Sequence, residues 1–518
     1  NSDEAIVALM ARHILSGEHP LFFYGQAYMG SLDAYLVAIG FWIFGQHIWV
    51  IRVVQGFLYL GVLWSTVKLA EVALNSRRVG TLSALLLALP NVTMTLYTSA
   101  TLGGYNEALL LGNLIIILGL KILRKIESEQ KIAYKYWLGW GFLVGLGFWA
   151  FGLSLVYSIP MGVFLIWGWV KNREFSGVQA IREAGIVLMG GVIGSLPWWL
   201  FAVQQGIQQL LRELTGSAIA NTNAVSSWMQ PFQRFLYLIV FGGTAIFGIR
   251  PPWTVQWLGL PLLPFVLAFW LWVIYALPGY FRKKNNVGRR VLLGIVFALS
   301  VGFLLTPFGD DPSGRYFIPM MIPMTLFASE AILSLGKRNP RWIWGITLLL
   351  ISYNLVGIVQ SSRRYPPGIT TQFDVVAQVD HRYDEALIAF LTEQGEMYGY
   401  TNYWVSYPLA FISNEKIIFT PRLPYHLDFR YTIRDDRYAP YDDLVAGAPR
   451  AAFITTHHEP LNAYLREELK ALHVTWQETK IGDFHIFYHL SEKLVPEQLG
   501  LGQTTGSMTF KESDFDTP

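Results

Sequence analysis

Apolar and polar positions recur along the first seventeen residues with the period of a helix. Ile6, Val7, Met10 and Ile14 fall on one side and Arg12 and His13 on the other, which predicts a short amphipathic helix lying along a membrane face. Ser2 is placed to cap it, Asp3 and Glu4 occupy the first turn, where the helix dipole favours negative charge, and Gly17 is placed to stop it. The aromatic and glycine-rich run 22–30 then reads as a loop at headgroup level.

Segment 31–45 is short for a span and holds Asp33, so it predicts a second interfacial helix. Apolar runs at 51–72, 79–97, 107–120, 137–151, 154–170, 186–203, 258–281, 291–307, 316–335 and 342–359 predict spans. Between them, 98–106 reads as a loop, 204–230 as a long connection and 232–249 as a span or interfacial segment. If 31–45 and 232–249 both stay on one face, the basic clusters at 77, 121–135, 171–182, 282–290 and 337–341 all fall on the inner side. That arrangement puts 1–48, 98–106, 307–315 and everything after Ser361 outside. About ten spans are then expected here, and a chain that opens on Asn1 predicts one more upstream.

Composition agrees with the class. The chain is 53% apolar, 15% aromatic and only 14% charged, the profile of an integral membrane protein. A net charge of +3 is too small to argue for a nucleic-acid partner, and none is expected; the absence of cysteine removes disulfides and thiolate metal ligands. After Ser361 the composition becomes that of a water-soluble α/β domain over 361–497. Helices are expected at 384–394, 405–412 and 461–472, strands at 397–400, 417–420 and 452–455, and a hairpin of 474–479 with 485–489 across Gly482-Asp483. The tail 498–518 is rich in Gly, Ser, Thr and acids and is expected to be mobile.

Three polar sets fall on the expected outer side: Asp3-Glu4, the run from Gly103 through Glu107, and the run from Gly309 through Tyr316. Each has a plain structural role available. Acids in a first turn complement the dipole, Asp310 and Asp311 suit a turn before Pro312, and Arg315 suits a membrane interface. Together at span mouths they also suit chemistry, because a carboxylate costs too much facing hydrocarbon and a guanidinium matches a phosphate.

The run Ser2-Asp3-Glu4-Ala5, a helix, then Phe23-Tyr24-Gly25-Gln26-Ala27-Tyr28-Met29-Gly30-Ser31-Leu32 resembles the first outer loop of bacterial GT-C glycosyltransferases of the protein O-mannosyltransferase and aminoarabinose-transferase superfamily. Gly104-Tyr105-Asn106-Glu107-Ala108-Leu109-Leu110 is similar to their second acidic loop, and Arg315-Tyr316-Phe317-Ile318-Pro319 to their arginine-tyrosine motif at the start of a span. Tyr400 to Trp404 and Phe411 to Lys416 are similar to their C-terminal soluble domain. Many relatives carry a lysine and paired prolines where this chain has Gln26 to Ser31.

The resemblance implies a bacterial plasma-membrane protein with outer juxtamembrane helices and an extracytoplasmic C-terminal domain. It implies inverting transfer of a sugar from a polyprenyl phosphate to an acceptor hydroxyl on a protein, lipid or glycan, amid membrane lipids. A single carboxylate base suffices for such a displacement, and Asp3 is the expected base. Glu4 and Glu107 are expected to orient the acceptor or bind a divalent cation, while Arg315, Tyr316 and Arg52 balance the leaving phosphate. Tyr24, Gln26, Tyr28, Tyr105, Asn106, Asp310 and Asp311 are expected to line the substrate. Two other classes fit many spans: a transporter or lipid flippase, which calls for charges near mid-bilayer and inverted repeats, and a non-catalytic subunit of a larger membrane complex.

Overall fold

The computed structural model describes residues 1–171, 177–214, 229–252, 254, 256–281, 287–311, 313–364, 369 and 375–502. The chain divides into two compact units. One comprises His19–Phe23 and Ala27–Ser361, and the other Asn1–Glu18, Tyr24–Gln26 and the described part of Ser362–Pro518.

The larger unit is helical. Six of its described helices are long and apolar enough to cross a membrane, or seven if one bent pair counts as a single span. The bent pair is where the run 79–97 departs from expectation. Helix Arg77–Ala88 stops, and Val92–Ser99 restarts at 82° to it. Pro90 cannot donate the amide that would continue the first helix, and Asn91 caps the second by accepting from the Met94 amide at 3.0 Å. The run 186–203 likewise forms two helices, Gly177–Gly194 and Leu196–Gln205, with Ser195 outside helical geometry and Pro197 in the next first turn. In the expected connection 204–230, Ile207–Leu214 is helical and 215–228 lie outside the described residues. Phe22–Phe23 and Gln26–Gly30 form short strands where a loop was expected.

Packing in this unit depends on close backbone approach. Helix Tyr134–Ala150 meets Gly177–Gly194 through Gly141 and Gly145 on one side and Gly190 and Gly194 on the other. A Cβ at any of the four would press into a facing backbone carbonyl, as in the small-residue seams of membrane helices. A polar seam joins Ile48–Ala73 to Tyr105–Glu127, where Asn113 donates to the Ser65 and Thr66 hydroxyls at 2.9 and 3.1 Å.

The smaller unit carries a five-stranded sheet in the order Ile418–Thr420, Tyr398–Tyr400, Ala452–Thr455, Phe484–Tyr488, Gln477–Ile481. The first three strands are parallel and Phe484–Tyr488 runs antiparallel to both its neighbours, so the hairpin across Gly482-Asp483 forms with its first strand a few residues later than expected. Leu387, Leu391, Leu409, Phe419, Ile454 and Ile486 build its core with helices Asp384–Gln394 and Tyr403–Ile412. Gly395 ends the first of these at φ 70°, a left-handed geometry that costs glycine least.

Helix Ser2–Leu15 packs in this unit against Tyr403–Ile412. Its cap is Asn1, whose side chain accepts from the Glu4 amide at 3.0 Å, and not Ser2. It is also not an amphipath with a wet face: Glu4 through His13 are all buried. Arg12 and His13, expected to face away from the apolar side, instead bond Glu415 at 3.3 and 2.9 Å, so burial of the Arg12 charge is offset by an ion pair.

Candidate functional site

In the larger unit, Gly103 and Gly104 turn the chain at φ 89° and 92° into helix Tyr105–Glu127. A Cβ on Gly104 would meet the Ala150 carbonyl at 3.2 Å, so the turn needs glycine for space as well as for conformation. It delivers Asn106 and Glu107 into the protein. Asn106 donates Nδ2 to Gln55 Oε1 at 2.7 Å, and Gln55 donates Nε2 to Asp33 Oδ1 at 2.7 Å. The Thr101 hydroxyl binds the second Asp33 oxygen. Asp33 is thus well supplied with donors, whereas both Glu107 oxygens are buried with no hydrogen-bond partner. The charge acting on Glu107 is that of Asp33.

A second cluster forms around Arg315, which follows Gly314 at φ 78°. Its Nη2 pairs with Asp311 Oδ2 at 2.6 Å, and Asp311 Oδ1 also accepts the Ser313 amide at 2.8 Å. Asp311 is therefore both turn former and anchor. The guanidinium lies 5.0 Å over the Tyr316 ring and within electrostatic reach of Tyr105 and Tyr97, and Tyr316 lies within reach of Tyr28. Arg315 keeps its buried Nε without a partner while its side chain is 34% exposed, so a donor remains for an incoming anion. Arg52 donates to the Ser99 carbonyl at 2.9 Å.

In the smaller unit, Asp3 Oδ1 accepts the Tyr403 hydroxyl at 2.5 Å. Tyr24, expected to line substrate, is held by Glu18 and His13 at 2.9 Å each and stacks on Tyr438 at 4.7 Å. Its hydroxyl is thus engaged by two side chains of the same unit. Glu4 is buried, and Gln26 begins the strand Gln26–Gly30. The Asp310 side chain lies outside the described residues.

The larger unit therefore brings together Tyr28, Tyr105, Arg315, Tyr316 and Asp311, and beside Tyr105 on the same helix turn places Asn106 and Glu107. In the sequence Asp33 marks only a segment too polar to span, and nothing local singles out Gln55 or Thr101. A buried acid needs donors, and the periodicity that hides Asp33 in its helix was the available signal. Among the described residues, no group of three or more His, Asp or Glu is placed to hold a metal ion. A cavity of about 50 Å³ lies among Leu87, Asn91, Ile246, Thr325 and Tyr353, and none of the acids lines it.

Residues 31–198 match the family model described as dolichyl-phosphate-mannose-protein mannosyltransferase. No curated protein matches the chain. Among solved structures the chain is similar to ArnT from Cupriavidus metallidurans bound to undecaprenyl phosphate, with TM-score 0.51 and 12% identity over 94% of this chain and 93% of that one. It is similar also to ArnT from the same organism in the apo state, with TM-score 0.54 and 12% identity over 93% and 92%. The resemblance is borne out over residues 31–198 by the family model and in fold by the solved structures, and the apolar helices are those of a multi-pass membrane protein.

Proposed function

We propose that this GT-C chain is an inverting glycosyltransferase that moves a sugar from a polyprenyl phosphate to an acceptor hydroxyl on the outer face of a bacterial plasma membrane. The observation that carries the reading is Arg315: a guanidinium anchored by Asp311, with its Nε unpartnered, beside the phenols of Tyr316, Tyr105 and Tyr97. Such a site suits a phosphate ester, whose charge rises as the sugar leaves. The similar fold of a protein bound to undecaprenyl phosphate supports a lipid phosphate as the donor.

In this reading Asp3 takes the proton of the acceptor hydroxyl as that oxygen attacks the anomeric carbon, and the sugar-phosphate bond breaks on the opposite side. Glu4 and Glu107 orient the acceptor, and Glu107 is also where a divalent cation would be held. Its two oxygens lack hydrogen donors, and the cation would supply countercharge beside Asp33. Basic clusters at 77, 121–135, 171–182, 282–290 and 337–341 on the inner side put the smaller unit outside the cell.

The test is incubation of the purified protein with a panel of radiolabelled polyprenyl-phosphate sugars, following label into protein, lipid and glycan fractions. Transfer of label from at least one donor is expected. Absence of transfer from every donor overturns the reading.

A further inference from the structure

Helix Tyr403–Ile412 begins where helix Ser2–Leu15 begins, and the two starts are joined in both directions. The Tyr403 hydroxyl donates to Asp3 Oδ1 at 2.5 Å, while the Ser2 hydroxyl donates to the Tyr403 carbonyl at 2.6 Å. These residues lie 400 positions apart in sequence. The Tyr403 ring has little freedom. It is 4% exposed, meets the rings of Trp404 and Tyr407 at 5.1 and 5.7 Å, and carries the Arg437 guanidinium 5.5 Å from its centre. Below it, Asn402 caps the helix by accepting from the Trp404 amide at 2.9 Å.

A donor held this firmly fixes the carboxylate it binds. Oδ1 of Asp3 is engaged, whereas Oδ2 has no hydrogen-bond partner among the described residues. One oxygen is thus clamped and the other left open in a defined direction. Burial first, and the Asp3 charge second, push the Tyr403 phenol well above its ordinary value, so it remains a donor at neutral pH.

We infer that Tyr403 is a positioning residue that holds Asp3 through Oδ1 and leaves Oδ2 to receive the acceptor proton, so that the C-terminal part of the chain supplies part of the reactive geometry. The inference rests on Asp3 being the base. It makes the clasp more than a docking contact between two helices, because the same bond that joins them sets the direction of the reactive oxygen.

The experiment compares Tyr403→Phe, Ser2→Ala and Asp3→Asn in the full chain, using the polyprenyl-phosphate sugar that turns over in the donor panel. Tyr403→Phe keeps the ring against Arg437, Trp404 and Tyr407 and removes only the hydroxyl. Its kcat should fall about 10- to 100-fold with donor KM within about twofold, the signature of misplacement by a fraction of an ångström. Ser2→Ala removes the reverse bond without touching the carboxylate, and its kcat should stay within about threefold of wild type. An inactive Asp3→Asn with an unchanged Tyr403→Phe overturns this inference and leaves the base in place. Equal losses in Tyr403→Phe and Ser2→Ala also overturn it, because the bond then only docks the helices. An active Asp3→Asn, or no turnover with any donor, overturns the base reading and this inference with it.

Discussion

Gln55 and Asp33 are joined by an Nε2–Oδ1 bond of 2.7 Å inside a region where Asp33 is 3% exposed and Gln55 2%. With Thr101 on its other oxygen, Asp33 satisfies two buried donors, and Asp33→Ala strands both. A loss of about 3 kcal/mol is expected from the stranded donors and the lost charge-assisted bonds, read as a lower unfolding midpoint in detergent. Glu107→Gln should go the other way. Neither Glu107 oxygen is bonded, and its charged neighbour is another acid, so its midpoint should equal or exceed that of wild type. A lower midpoint would mean that Glu107 has a donor after all.

Arg289 meets Glu330 through two bonds, Nη2–Oε1 at 2.7 Å and Nε–Oε2 at 3.1 Å, with both residues buried. Arg289 lies in the first turn of Val287–Leu305 and Glu330 in the second half of Met321–Gly336. Removing one partner leaves an uncompensated buried charge, so Glu330→Gln should cost about 3–5 kcal/mol, whereas replacing both by Met and Leu should cost far less. Thermal unfolding of the single and double variants distinguishes the two outcomes.

The glycine seam between Tyr134–Ala150 and Gly177–Gly194 allows no side chain. Gly141→Ala and Gly190→Ala should each destabilise by about 1–3 kcal/mol, because the helices must separate along their length. Gly185→Ala, which meets nothing within 4 Å, is the control and should be neutral or slightly stabilising. Unfolding midpoints of the three variants provide the comparison.

Two carboxylate groups in the smaller unit give opposite pH dependences. Partial burial opposes the Glu415 charge, but bonds from His13, Tyr441 and Arg12 outweigh it and hold its pKa to about 2, below the ordinary 4.5. Its contribution is therefore present above pH 4.5 and is lost as pH falls towards 2. Burial raises Asp435 from 3.8 to about 7 against the pull of Arg437, so its contribution is present below 3.8 and is lost as pH rises towards 7. Glu415→Gln should flatten the acid side of the midpoint-against-pH curve, and Asp435→Asn the side approaching neutrality.

Arg315→Ala should raise the donor KM more than it lowers kcat, because the guanidinium holds the phosphate before and after transfer. Asp311→Asn frees the guanidinium from its 2.6 Å anchor and should produce a smaller change in the same direction. Initial rates over a donor series separate the two parameters, and a pure kcat effect in Arg315→Ala would assign the arginine to the transition state alone.

Much of the fold was legible in the chain. Long apolar runs mark the helices because a helix satisfies its own backbone hydrogen bonds in hydrocarbon, and Gly395 and the Gly482-Asp483 turn mark where elements in the smaller unit stop. The arginine-tyrosine run and the Gly-Tyr-Asn-Glu turn were legible as well, since glycine turns and charges at helix starts are local features. The breaks at Pro90 and Ser195 lay in local sequence too, but were masked by the hydropathy of the runs around them.

What the chain could not express is pairing at a distance. Asp33 is a lone acid in an apolar helix until folding sets Gln55 and Thr101 against it, and Arg12 is a polar-face residue until Glu415 arrives from 403 positions away. Periodicity determines which side of a helix is apolar, because that depends on residues three and four apart. Whether a polar side chain meets water, a donor or another acid depends on a second helix, and only the tertiary structure sets that helix beside the first.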